Sequence, residues 1–228
     1  GTGNPSATVN FVRKRPTADL MGAVSVTAGN WNNLRFDADV SAPLDDSGSV
    51  RGRAVAAYQQ GDSYLDRYSM ERTVAYGIIE ADLSEQTTLA VGVSYQDSRP
   101  EGVMWGALPL FYTDGSATEY DRSTSTAADW SYWHNENTQA FVELRHAFGN
   151  DWHLVAAYNY EDIAQNSQLF YVYGTPDRDT GLGLYAYPSD YSGEYRSNVV
   201  DVTVTGGFAL GGRRHELVLL RLLTAELR

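Results

Sequence analysis

Hydrophobic and polar residues alternate along most of this chain with a period of two. In residues 34–42, Leu34, Phe36, Ala38, Val40 and Ala42 face one way, while Arg35, Asp37, Asp39 and Ser41 face the other. Such strict alternation predicts a β-strand with one apolar face. Residues 88–96, 138–146, 153–161 and 198–205 repeat the pattern, and residues 22–29, 50–60 and 72–83 follow it less strictly. Short polar stretches at 45–49, 84–87 and 149–151 read as tight turns. The intervening connections, 61–71, 97–137 and roughly 164–196, read as longer loops, with residues 30–33 as one short exception on that side. The expected fold is therefore all-β, an antiparallel meander of strands running up and down.

Two architectures fit strands of this length: a soluble sandwich or propeller, and a part of a transmembrane barrel. A membrane-crossing strand needs only about 9–11 residues with one apolar face. The polar positions carry charges in mid-strand (Arg35, Asp37, Asp39, Arg51, Arg53, Glu143, Arg145), which suits a wet lumen. Aromatic residues gather towards the strand ends (Tyr58, Tyr64, Tyr76, Tyr95, Phe148, Trp152, Tyr158, Tyr160), as an interfacial girdle requires. Short turns at one end and long loops at the other are also a barrel trait. A solvated antiparallel sheet alternates as well, so patterning favours the barrel without deciding for it.

Composition narrows the function. Seventeen basic against 29 acidic residues give a formal charge of −12, the wrong sign for a nucleic-acid surface. There is no cysteine, hence no disulfide scaffold and no thiolate metal site. The four histidines, His134, His146, His153 and His215, show no metal-ligand spacing. Residues 177–181, Asp-Arg-Asp-Thr-Gly, have the outline of a calcium loop, but Pro188 stands where the bidentate Glu belongs, so a loop turn is expected. No nucleophile elbow, phosphate-binding loop or metalloprotease motif is present, and nothing points to an enzyme.

Residues 1–16 carry Gly1, Pro5, Val9, Asn10, Lys14 and Pro16 at the spacing Gly-x-x-x-Pro-x-x-x-Val-Asn-x-x-x-Lys-x-Pro. This resembles the end of the plug domain of TonB-dependent outer-membrane receptors. Further on, Gly29-Asn30-Trp31 with Arg35, Asp39 and Pro43-Leu44, then Val50-Arg51-Gly52-Arg53, residues 105–110 and Ala128-Asp129-Trp130-Ser131 resemble the ferric-siderophore branch, of the hydroxamate and pyoverdine type. The resemblance runs from residue 1 to about 219. It implies a plug tail over 1–16 and an incomplete barrel over 17–228, with about eight to nine of the family's roughly 22 strands. It also implies an upstream TonB box, most of a plug, and a plug-apex Arg that joins the pocket. At the C-terminus, residues 215–219 begin a ninth strand and residues 220–228 read as a short amphipathic helix, a departure from the family pattern consistent with a frameshift or premature gene end.

The resemblance further implies a site and a role. Receptors of this branch grip the siderophore with aromatic residues at the start and return of the loop 97–137. That carries over to Trp105 and Trp130 most directly, then to Tyr112 and Trp133. Loops of this length without regular structure are usually functional or disordered, and this one is too aromatic for disorder. The implied function is TonB-dependent uptake of ferric siderophores at the bacterial outer membrane. The partners are the siderophore, the TonB-ExbB-ExbD system and outer-membrane lipid, with no nucleic acid. The protein needs no cofactor, since the ferric iron is bound only within the siderophore. The alternatives are a soluble carbohydrate-binding β-domain, which would use exposed Trp and Tyr on sugars, and a non-functional truncated gene product.

Overall fold

The computed structural model describes residues 12–149 and 151–227. The strands are β1 (Met21–Ala28), β2 (Leu34–Pro43), β3 (Val50–Asp62), β4 (Ser69–Ser84), β5 (Thr87–Glu101), β6 (Trp105–Gly106), β7 (Tyr132–Ala147), β8 (His153–Gly174), β9 (Leu184–Leu210) and β10 (Arg213–Leu227). They form one sheet in the order β1-β2-β3-β4-β5-β7-β8-β9-β10, each strand antiparallel to its neighbours, with β6 pairing in parallel to β8. Every strand read from the alternation is present. Residues 1–11, which hold Gly1, Pro5, Val9 and Asn10 of the plug-like motif, lie outside the described residues.

Four expectations are corrected. Residues 164–196 are mostly strand, not loop: β8 and β9 pair without a break from His153↔Thr205 to Gly174↔Leu184, leaving a connection of only 175–183. Residues 220–227 are strand, not helix, because each residue from Arg213 to Leu227 finds a ladder partner on β9. The pairing edge of a long neighbour outweighs a weak helical preference. The turn between them is Gly211-Gly212, both with positive φ (61° and 78°), the geometry of the two-residue turns that fit strand twist. The third correction concerns the loop expected over 97–137: residues 97–101 and 132–137 are strand, so Trp133 stands on β7. The fourth concerns Tyr76, which does not belong to an outer girdle.

Register settles which side chains share a face. On one face stand Ile79, Val91, Val93 and Val142, paired Ile79↔Val91 and Val91↔Val142. These aliphatic side chains are 53%, 47%, 50% and 41% exposed, while Ile78, Ala90 and Phe141 on the other face are buried. A soluble sandwich buries its apolar face against a second sheet; here, among the described residues, nothing covers it. The arrangement is that of a sheet whose apolar side faces lipid. Trp152 belongs to that side, its ring lying over Gly206, where a Cβ has no room.

Residues 13–17 lie on the opposite, inner face. Arg15 pairs with Glu80 (3.0 Å) and with Glu143, Lys14 with Asp39 (2.8 Å), and Arg13 sits 4.2 Å from the ring centre of Phe141. The sheet's own charges interlock beside them, Arg53 with Asp39 (2.7 Å), and Arg51 with Glu80 (3.1 Å) and Asp82 (2.6 Å). The backbone of the tail is held as well: Tyr76 donates to the Lys14 carbonyl, and the Thr17 amide donates to Ser41 Oγ (2.8 Å). The mid-strand charges expected to face a lumen therefore do so.

Candidate functional site

The long loop begins where β5 ends. The amide of Gly102, in the left-handed region (φ 60°), donates to the Ser131 carbonyl at 2.7 Å, closing the base of loop 102–131. The chain then lays Trp105 and Gly106 alongside Tyr171 and Val172 of β8. Gly106 adopts φ 104°, and a Cβ there would meet the Tyr171 ring at 2.8 Å, so only glycine lets the backbone lie this close. The indole of Trp105 is half-buried and packs edge-on against Tyr171 (centroids 5.5 Å apart) and Tyr191 (5.7 Å).

Tyr171 and Tyr191 are site residues that no motif in the sequence marks. They stand on the arm formed by the extended β8 and β9, which reach well past the length a membrane crossing needs. Tyr171 pairs with Tyr187 and Tyr173 with Tyr185, and their rings continue as a stack, Tyr171–Tyr173 at 6.0 Å and Tyr173–Tyr185 at 5.6 Å. Trp133 on β7 shares this inner face through the row Trp133↔Ser167↔Tyr191. The signal was present as tyrosines two and four residues apart at 185, 187 and 191, but lay within a stretch read as loop.

The other two predicted residues lie elsewhere. Trp130 is exposed and packs edge-on against Phe170 at 5.6 Å. It lines a shallow cleft of about 250 Å³ with Gln168, Pro188 and Asp190. Those positions alternate with Leu169 and Tyr171, so Trp130 covers the opposite face of the arm from Trp105. Tyr112 sits at the loop tip, in a small hairpin where its amide donates to the Ser116 carbonyl (2.8 Å), and Arg178 lies 5.9 Å from its ring centre. The structure thus brings Trp105 and Trp133 to one wall, puts Tyr112 at its rim and places Trp130 behind it.

Residues 177–181 form a turn, as read. Asp177 Oδ1 accepts from the Thr180 hydroxyl (2.8 Å) and from the amides of Thr180 (2.9 Å) and Asp179 (3.2 Å). The hydroxyl bond, followed by the amide bonds, holds this carboxyl below the usual carboxylate range.

A meandering sheet with lipid-facing aliphatics, a charged inner face gripping residues 13–17, and an aromatic wall on its extended strands is built as an arc of a transmembrane β-barrel. The chain is a segment of the TonB-dependent siderophore-receptor family. It is 41% identical over 220 residues to the ferripyoverdine receptor of Pseudomonas aeruginosa, covering 96% of this chain and 27% of that protein. It is 38% identical to the ferric-pyoverdine BN7/BN8 receptor of Pseudomonas putida, again over 96% of this chain and 27% of the relative. The crystal structure of the P. aeruginosa outer-membrane ferripyoverdine receptor bound to ferripyoverdine superposes with a TM-score of 0.87 at 39% identity, over 93% of this chain and 28% of that one. The chain spans just over a quarter of the length of these relatives. No protein-family model matches it.

Proposed function

We propose that this chain supplies barrel wall and part of the external ligand site of a receptor that imports ferric siderophores of the pyoverdine or hydroxamate type. In this reading residues 1–16 are the end of the plug and residues 17–228 belong to the barrel. The observation that carries it is Trp105, held edge-on by Tyr171 and Tyr191 on the inner face of the arm. Aromatic rings offer a large, stiff contact surface at low entropic cost, and the ligands named for the relatives are ferric pyoverdines. The iron travels inside its siderophore, so the protein contributes contacts to the organic shell and no metal ligand. Import draws on the TonB-ExbB-ExbD system acting on the plug, and the apolar face is solvated by outer-membrane lipid.

The test is binding and uptake of radio-iron ferripyoverdine by cells producing the protein. Saturable uptake that Trp105→Ala weakens about tenfold, the size of a well-packed interface aromatic, supports the reading. It is overturned if ferric pyoverdines and hydroxamates do not bind, or if Trp105→Ala leaves affinity unchanged.

A further inference from the structure

The limb that carries Trp105 does not stand by itself. It is fastened to the β8–β9 arm at both ends. At its base, Trp105 and Gly106 pair with Tyr171 and Val172. At its tip, the Thr113 amide donates to the Pro176 carbonyl at 3.0 Å and its hydroxyl to Asp177 Oδ2 at 3.4 Å. Arg178 reaches back to donate to Ser116 Oγ (3.4 Å) and lies near the Tyr112 ring. Between these two fastenings the indole rests edge-on against Tyr171 and Tyr191, at interplanar angles of 68° and 87°. Two near-perpendicular ring contacts from neighbouring strands restrict both tilt and translation of the indole, and such pairs are favoured by the ring quadrupoles.

We infer that Tyr191 and Tyr171 are positioning residues for Trp105, so that the orientation of the indole is set by the β8–β9 arm rather than by the loop in which Trp105 lies. The consequence for affinity rests on the proposed siderophore site; the positioning itself does not. Tyr171 also lies beside the Gly106 backbone, where an added Cβ would meet its ring at 2.8 Å. Tyr191 touches the indole without bracing that bridge, so it is the cleaner position to change. Tyr191 is 43% exposed, and its truncation leaves no cavity in a packed core.

The experiment is ¹⁹F NMR of the 5-fluorotryptophan-labelled protein in detergent, with the Trp105 signal assigned by its loss in Trp105→Phe. Without ligand, Tyr191→Ala is expected to shift or broaden the Trp105 resonance and leave those of Trp31 and Trp152 in place, while Tyr191→Phe, which keeps the ring, preserves it. With ferripyoverdine as the probe, Tyr191→Ala should weaken binding about tenfold and add nothing in a Trp105→Ala background, because both changes remove the same contact. An unmoved Trp105 resonance in Tyr191→Ala overturns the inference. A moved resonance with affinity indifferent to Trp105→Ala sustains the positioning role and overturns the siderophore reading instead.

Discussion

The hydroxyl of Tyr76 donates to the backbone carbonyl of Lys14 across 2.9 Å, from the middle of β4 to the tail that crosses the interior. Arg53 does the same to the Arg15 carbonyl, also at 2.9 Å. The wall therefore holds the tail by its backbone as well as by its charges. Tyr76 packs against the small buried cluster of Ile78, Ala90 and Phe141. Its ring is thus an interior prop, which is why its place near other aromatic residues in the sequence misleads.

The first prediction concerns Arg15. It bridges Glu80 and Glu143, whose side chains are 14% and 11% exposed. Truncation removes bonds to charged, largely buried partners, each worth roughly 1.5–3 kcal/mol, while Arg51 and Arg145 remain to serve the two carboxylates. Arg15→Ala is expected to lower stability by about 2 kcal/mol, and Tyr76→Phe by about 1 kcal/mol. Denaturant unfolding in detergent measures both, and an unchanged midpoint for Arg15→Ala would contradict the role given to it.

Gly92 faces Phe141 across the β5–β7 pair, and a Cβ there would lie 2.5 Å from the ring and 2.9 Å from the Gly77 carbonyl oxygen. The oxygen is backbone and cannot swing away. Gly92→Ala should cost about 1–3 kcal/mol through overpacking. Adding Phe141→Leu relieves the ring clash and should recover part of the loss in thermal unfolding. A Gly92→Ala protein as stable as the parent would show that the wall yields more easily than its packing indicates.

The two faces of the sheet should respond oppositely to a charge. Ile79 stands on the apolar side, half exposed to what would be lipid. Ile79→Arg is expected to destabilise by about 2–4 kcal/mol. Gln96, exposed on the inner face, should accept arginine with less than about 0.5 kcal/mol of change. Folding yields into lipid vesicles report the difference. Equal tolerance at the two sites would be incompatible with a membrane-facing exterior.

The loop tip carries a pH dependence. Hydrogen bonding keeps the Asp177 carboxyl below the usual range, so its unfolded value, near 4, is the higher one. Its contribution is fully present above that value and is lost as pH falls through the lowered one. Hydrogen exchange at Thr180, whose amide donates to Asp177 Oδ1, should be constant from pH 8 to 5 after correction for intrinsic rates, and lose protection only in more acidic solution. Asp177→Asn, which keeps an acceptor, should abolish the acid step while preserving the turn. Loss of protection between pH 8 and 5 would assign the effect to another group.

Periodicity is what can be read along the chain without the fold. Alternation marked the strands, the tight turns and the residues sharing a face with Arg53 or with Val91, because side chains in a strand point alternately to either side whatever the surroundings. How far the strands run depends on long-range pairing. Beyond the membrane both faces of β8 and β9 are wet, so no apolar stripe marks them, and their length comes from pairing with each other. Pairing likewise made residues 220–227 a strand. The family resemblance implies Trp105 and Trp130 together. The fold put them on opposite sides of one arm and gave Trp105 its partners Tyr171 and Tyr191, since contacts between residues 66 and 86 positions apart depend on register, which no local pattern encodes.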